Sequence, residues 1–208
     1  MRESDQPPAL TIEAVTADRL PDLAALFGTN STANGCYCTW FFIPTKDNQA
    51  GWGAENRRTF EEVARRDPLP MGLLAYAEGT PVGWCAAGPR ARYSRALRTP
   101  TLRRRDPGED ADVWLVPCFF VKVGFRRQGI MRDLLNRAVQ LAGQHGARAV
   151  EGFPLSGDRR RGTGDAFLGV EPLFASCGFE VTSRPSPSRV LMRLDLTGRT
   201  SSTGRPGP

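Results

Sequence analysis

The stretch Val113–Leu135, VWLVPCFFVKVGFRRQGIMRDLL, decides how the rest of the chain reads. Val113 to Lys122 is too continuously apolar for an edge strand, so it belongs in the middle of a sheet. A tight basic turn carries Arg126, Arg127, Gln128 and Gly129. Beyond it Met131, Leu134, Leu135, Ala138 and Leu141 recur at helical spacing, and the helix runs to His145 before Gly146 ends it. A strand, a glycine turn and a helix in this order make an anion site. The first N–H groups of a helix lack internal partners, and the helix dipole favours negative charge there. A phosphorylated ligand is the expected occupant. Pro117 conflicts with the central position, because it has no N–H for a ladder, and a bulge or a splayed neighbour would resolve the conflict.

Working outward, Ala147 to Phe153 reads as a parallel strand reached by a right-handed helical crossover. On the N-terminal side, Met71 to Ala87 has the pattern of a hairpin turning at Gly79 and Thr80. Leu10 to Val15 alternates like a first strand, and helices are expected over Arg19 to Phe27 and Glu55 to Arg66. On the C-terminal side come a glycine-rich loop, Ser156 to Gly169, and a short helix, Glu171 to Ser176. Two antiparallel strands, Phe179 to Thr182 and Arg189 to Leu196, follow. The expected organisation is one α/β domain over residues 10–196, between a flexible start at 1–9 and a disordered tail at 197–208. Arg90 to Ala111 is polar and reads as an exposed loop, long enough to suggest a function. Between Thr29 and Asn48, the aromatic residues Tyr37, Trp40, Phe41 and Phe42 admit two readings, core packing or a substrate pocket.

Composition narrows the classes. The 208 residues are 40% hydrophobic and 24% charged, as in an ordinary globular protein, and no apolar run is long enough to span a bilayer. The N-terminus lacks the basic and then apolar pattern of a secretory signal, so a cytoplasmic protein without a membrane partner is expected. The net charge is +6, yet only Lys46 and Lys122 are lysines. The basic clusters Arg103 to Arg105 and Arg159 to Arg161 fall in loops without interleaved aromatics, which argues against a nucleic-acid partner. Cys36 and Cys38 stand as C-x-C, poor spacing for zinc, and the only histidine, His145, is far along the chain. No metal is expected, and the five cysteines read as free thiols, mostly buried.

The turn Arg126, Arg127, Gln128, Gly129, Ile130, Met131 resembles the signature of the general N-acetyltransferase (GNAT) superfamily: a basic residue, two variable positions, glycine, one variable position, and glycine or alanine. FASCGFE, Phe174 to Glu180, resembles that family's terminal helix-turn-strand, and the element order agrees over residues 10–196. The segments GCYCTWFF and GLLAY…GTPVGW resemble a bacterial subgroup of it, a match that specifies the acyl donor and not the acceptor.

The resemblance implies a mixed central sheet flanked by helices, with splayed central parallel strands, and an enzyme moving the acetyl group of acetyl-CoA to an amine. The backbone of Arg126 to Met131 would hold the pyrophosphate, and Phe119, Phe120 and Val121 would pair with the pantetheine arm like an added strand. A main-chain N–H near Phe120 or Val121 would polarise the acetyl carbonyl. Two departures stand out. Met131 replaces the small residue closing the signature, and Phe174 stands where many members carry the tyrosine thought to protonate the leaving thiolate.

The chemistry then needs a base and an acid. Glu151, on the strand beside the pantetheine, is the first candidate for the base or an amine-binding carboxylate, with Asp165 behind it. Tyr37 and Tyr93, as phenols in exposed loops, are the candidates to replace the missing tyrosine. Cys118 adjoins the oxyanion region, but its apolar strand favours packing. The expected acceptor is a small-molecule amine, and a homodimer is compatible with the reading. Acylation of a protein or peptide amine, or a non-catalytic CoA-binding module suggested by Phe174, are the alternatives.

Overall fold

The computed structural model describes residues 10–103, 105–157 and 167–196. Seven strands form one mixed sheet: β1 Leu10–Ala14, β2 Gly72–Ala77, β3 Thr80–Pro89, β4 Val113–Val121, β5 Ala149–Gly152, β6 Glu180–Ser186 and β7 Arg189–Asp195. Their order across the sheet is β1-β2-β3-β4-β5-β7-β6, which puts β4 in the middle as its apolar run requires. Of the contacts between these seven strands, the β4–β5 contact is the parallel one, and α5 (Ile130–Gln144) makes the crossover between them. The hairpin turn falls one residue earlier than expected, on Glu78 and Gly79, whose φ angles of 49° and 75° suit a two-residue loop.

The helices divide the core in two. On one face α5 lays Leu134, Leu135 and Ala138 against Ala75, Cys85 and Val121. On the other, α1 (Leu20–Phe27) and α4 (Ala54–Arg66) pack Leu23, Phe27 and Phe60 on Leu74, Trp84 and Phe120. α6 (Glu171–Ser176) closes the α5 side near β7.

Pro117 resolves as a bulge. Ala86 pairs with Cys118 and Gly88 with Leu115, so Val116 and Pro117 together face Ala87 alone. The extra residue reverses the alternation along β4. Leu115 and Cys118 share one face, and Phe120 follows them there, while Val116, Phe119 and Val121 face α5. It also ends the parallel ladder: β5 pairs with β4 only from Val113 to Val116. Among the described residues no strand continues that edge beside Cys118 to Val121. The expected splay between central strands is therefore present.

Two stretches differ from expectation. The aromatic segment after α1 contains two short helices, α2 (Ser31–Cys36) and α3 (Thr45–Ala50), with a 3-10 turn at Thr39–Phe41 between them. Six-residue helices are too short to show a periodicity. The segment 90–111 is not an exposed loop: Arg90, Tyr93, Ala96, Leu97 and Leu102 are buried. Arg90 enters the interior because all three of its guanidinium nitrogens find acceptors: Asp110 at 2.7 Å, Glu151 at 2.8 Å and the Asp106 carbonyl at 2.6 Å. Residues 1–9, the tail 197–208, Asp165 and the Arg159 to Arg161 cluster lie outside the described residues.

Candidate active site

Two cavities meet at the bulged half of β4. The first is a groove of about 1080 Å³ running along the free edge of Phe119, Phe120 and Val121 to the start of α5. Arg126, Arg127, Gly129, Ile130 and Met131 line its far end, with Arg132 in the first turn of the helix. The turn is held in shape by its own side chains. Arg126 donates to the Val121 carbonyl at 3.1 Å and Gln128 to the Gly124 carbonyl at 3.1 Å. Gln128 is spent on this brace and does not line the groove. Gly129 caps α5 with φ 85°, a left-handed geometry that favours glycine, and a Cβ there would meet nothing nearer than Asp133 at 4.0 Å. The glycine is thus demanded by the backbone and by whatever approaches it, not by internal packing. Among the described residues, no protein group accepts from the N–H groups of Gly129, Ile130 or Met131. Three guanidinium groups and these N–H groups converge on one end of the groove, an arrangement that suits a polyanion.

The second cavity, of about 500 Å³, lies on the other face of β4 and shares Thr32, Phe120 and Phe167 with the groove. Its walls come from distant segments. Cys36, Trp40 and Phe41 belong to the α2–α3 region, Cys118 to β4, Phe153 to the end of β5, and Thr99 and Thr101 to the 90–111 segment. Trp52 forms part of the wall while remaining 53% exposed. Its indole rests against Gly35, where an added Cβ would sit 2.0 Å from the ring, so glycine at that position is what admits it. Arg95 stacks on Trp40 with its guanidinium carbon 3.5 Å from the ring centre, which holds that wall in place. The aromatic segment thus serves both readings allowed by its sequence: Phe41 is core, and Trp40 and Phe41 line a cavity.

Three thiols face this cavity. Burial above all pushes the Cys36 thiol up to about 11. Cys118 is held well above the ordinary thiol range by its hydrogen bond to Cys38 and then by burial. Cys38 also accepts from the Trp84 indole N–H at 3.4 Å. All five cysteines are free.

The two side chains expected to be catalytic lie elsewhere. Glu151 is buried, accepting from Arg90 at 2.8 Å and from Arg193 at 3.3 Å, and lines neither cavity. The carboxylate is fixed between two guanidinium groups and ties β5 to β7 and to the 90–111 segment. Tyr37 is not in an exposed loop. It is buried in left-handed backbone with φ 47°, edge-on to Phe27 at 5.1 Å, and its hydroxyl has no hydrogen-bond partner among the described residues. Burial raises its phenol, as it does for Tyr93, which is likewise in the core. Phe174 is fully buried, 6.0 Å from Phe119 and 5.1 Å from Phe179. His145 caps the end of α5 and stacks on Trp114 at 5.6 Å. Sequence reasoning missed Trp52, Thr99, Thr101 and Phe153 as cavity residues.

A bulged central strand, an edge left open beside it and a glycine-capped helix at its end together form a groove suited to a phosphorylated ligand. The acetyltransferase (GNAT) family model matches residues 37–154, more than half of the chain, and the chain belongs to that family. Solved structures agree in fold. A putative acetyltransferase from Salmonella typhimurium, yncA, solved with acetyl-CoA, is 18% identical with a TM-score of 0.56, over 93% of this chain and 97% of that one. Ribosomal-protein-alanine N-acetyltransferase from Brucella melitensis is 21% identical with a TM-score of 0.55, over 89% and 99%. An N-acetyltransferase from Staphylococcus aureus Mu50 is 14% identical with a TM-score of 0.55, over 90% and 98%. No curated protein sequence matches the chain. Among the described residues, no helix is long and apolar enough to cross a membrane.

Proposed function

We propose that the protein transfers the acetyl group of acetyl-CoA to the amine of a small molecule by direct attack. The observation that carries this reading is the junction at Phe120: a basic groove ending at an α5 N-terminus opens there into an apolar cavity on the opposite face of the strand. The groove fits the donor. The N–H groups of Gly129, Ile130 and Met131, with Arg126, Arg127 and Arg132 around them, hold the pyrophosphate. The edge of Phe119 to Val121, freed by the Pro117 bulge, hydrogen-bonds the pantetheine amides as a missing strand would.

When bound, acetyl-CoA supplies an activated carbonyl. The amine nitrogen forms a bond to that carbon, the carbon–sulfur bond breaks, and the proton lost by nitrogen ends on the sulfur, giving an amide and free CoA. A main-chain N–H at Phe120 or Val121 stabilises the oxyanion, and the cavity holds the amine in line. With Phe174 buried and Glu151 ion-paired, positioning and the oxyanion donor do most of the work. An apolar cavity of about 500 Å³ supports a small acceptor over a protein surface. Free thiols and dependence on acetyl-CoA fit the cytoplasm.

Calorimetric titration with acetyl-CoA tests the donor half, with binding in the micromolar range expected. No heat at tens of micromolar protein and excess acetyl-CoA would overturn the reading. Binding without thiol release across an amine panel would replace it with a CoA-binding module.

A further inference from the structure

The donor groove and the acceptor cavity meet at three described residues, Thr32, Phe120 and Phe167. Thr32 is the one among them whose side chain carries an exchangeable proton. It sits in the first turn of α2, where Asn30, Ser31 and Thr32 line the groove and Thr32 alone of the three reaches the cavity as well. The helix is pinned at both ends. The Asn30 side chain accepts from the Ala33 N–H at 2.9 Å, and the Gly35 carbonyl accepts from the Gly53 N–H at 3.0 Å and from the Asn56 amide at 2.9 Å. The Thr32 hydroxyl itself makes no hydrogen bond to any described residue. Other threonines of this region spend theirs. Thr99 donates to the Ala96 carbonyl at 2.7 Å, while Thr39 donates to the Cys36 carbonyl and accepts from Asn48, both at 2.8 Å. A half-buried hydroxyl is thus held in place and left free at the point where donor and acceptor must meet.

Resting on the transferase reading above, we propose that Thr32 is a catalytic residue that relays the proton of the attacking amine to the leaving sulfur. Pantetheine laid along Phe119 to Val121 from the α5 end brings its thioester to the mouth at Phe120, beside this hydroxyl. A hydroxyl accepts through its lone pairs and donates through its hydrogen at the same time. As the amine nitrogen bonds to the acetyl carbon, its proton passes to the Thr32 oxygen. As the carbon–sulfur bond breaks, the threonine's own proton passes to sulfur. Threonine ends as it began and at no stage carries a full charge, so the step needs no acid or base of matched pKa. Phe174 has no proton to give, Tyr37 and Tyr93 are buried in the core, and Cys36 and Cys118 line the cavity but not the groove.

Hydroxylamine serves as the probe acceptor, because it is largely unprotonated at neutral pH and small enough to enter without matching the cavity walls. Thiol release from acetyl-CoA is followed for the full chain and for Thr32→Val and Thr32→Ser. Valine keeps the shape of threonine without its hydroxyl, whereas serine keeps the hydroxyl. Thr32→Val should lower kcat at least about tenfold, since positioned proton transfer contributes on the order of 10²–10⁴. The hydroxylamine KM, the acetyl-CoA Kd by calorimetry and the urea midpoint should stay as they were, and Thr32→Ser should restore most of the rate. A fall in kcat without a rise in KM separates a relay from a binding contact. An unchanged kcat in Thr32→Val would overturn the relay. So would a loss confined to KM or to acetyl-CoA affinity, or one that serine does not rescue. A full chain that binds acetyl-CoA but releases no thiol to hydroxylamine or to the amine panel would remove the transferase reading and the relay with it. Turnover that is indifferent to Thr32→Val removes the relay alone.

Discussion

The donor groove and the acceptor cavity share Phe120 but are built by opposite means. The groove is organised by backbone: a bulge, a freed strand edge and the first turn of a helix, shaped within Val113 to Arg132, with α2 and the residues from Phe167 to Leu173 at its sides. The cavity is made of side chains from stretches scattered between Phe27 and Arg189, and its aromatic walls come from several different elements. A backbone site tolerates changes in its side chains but not in its φ angles. A side-chain site behaves the other way round.

The largest effect is expected in the scaffold common to both, at Arg90. Arg90→Met strips the buried Glu151 and the half-buried Asp110 of their shared guanidinium, leaving only Arg193 and Arg105 beside them, which should destabilise the protein by about 3 kcal/mol in urea unfolding. Arg90→Lys should recover only part of this, because one ammonium cannot meet three acceptors lying in a plane. A loss under about 1 kcal/mol would mean that the ion network is ornamental. Next is the groove. Gly129→Val places a β-branched residue at φ 85° where the pyrophosphate must approach, and acetyl-CoA affinity should fall at least about tenfold by calorimetry. Acceptor binding measured alone should be unchanged. Trp52→Ala should do the reverse, raising the acceptor KM about three- to tenfold with the acetyl-CoA affinity intact, as expected for losing about 0.5–1.5 kcal/mol of ring contact. If either variant damaged both halves equally, the division into two sites would fail.

The smallest effect is on pH dependence. The hydrogen bonds from Arg193 hold the Glu109 carboxyl below its ordinary 4.5. Burial pulls Asp110 upward, but Arg105 and Arg90 together outweigh it and hold that carboxyl below 3.8. Groups whose folded pKa is lowered stabilise the fold above their unfolded pKa and lose that contribution as pH falls. Urea midpoints should therefore be level from neutral pH to about pH 5 and drop below about 4.5, with Glu109→Gln flattening part of the drop.

The same contrast explains what could be read from the sequence. The turn Arg126 to Met131 was legible because every residue that shapes it is within a few positions of the next. Pro117 was legible as a contradiction, since an apolar central strand and a missing N–H leave few geometries. The cavity was not legible. Thr99, Phe153 and Trp52 carry no mark of their meeting, and α2 and α3 are too short to announce themselves. Arg90 and Tyr93 looked solvent-facing because their surroundings are polar along the chain. The partners that permit burial of Arg90, Asp110 and Glu151, stand 20 and 61 residues away. For Glu151 the sequence named the strand but not the two arginines that hold its carboxylate. Its acceptor oxygens are visible only as a carboxylate until the two arginines are placed beside them.

The Pro117 bulge has a kinetic consequence as well. The centre of a sheet is ordinarily the slowest place in a protein to trade amide hydrogens with water. Here, among the described residues, no strand protects the N–H groups of Cys118 to Val121 that point away from β3, so the middle of this sheet should carry a seam that takes up deuterium early. Adding acetyl-CoA should close that seam while leaving the β3 side of the same strand unchanged, so a single strand would report ligand occupancy on one edge and global stability on the other.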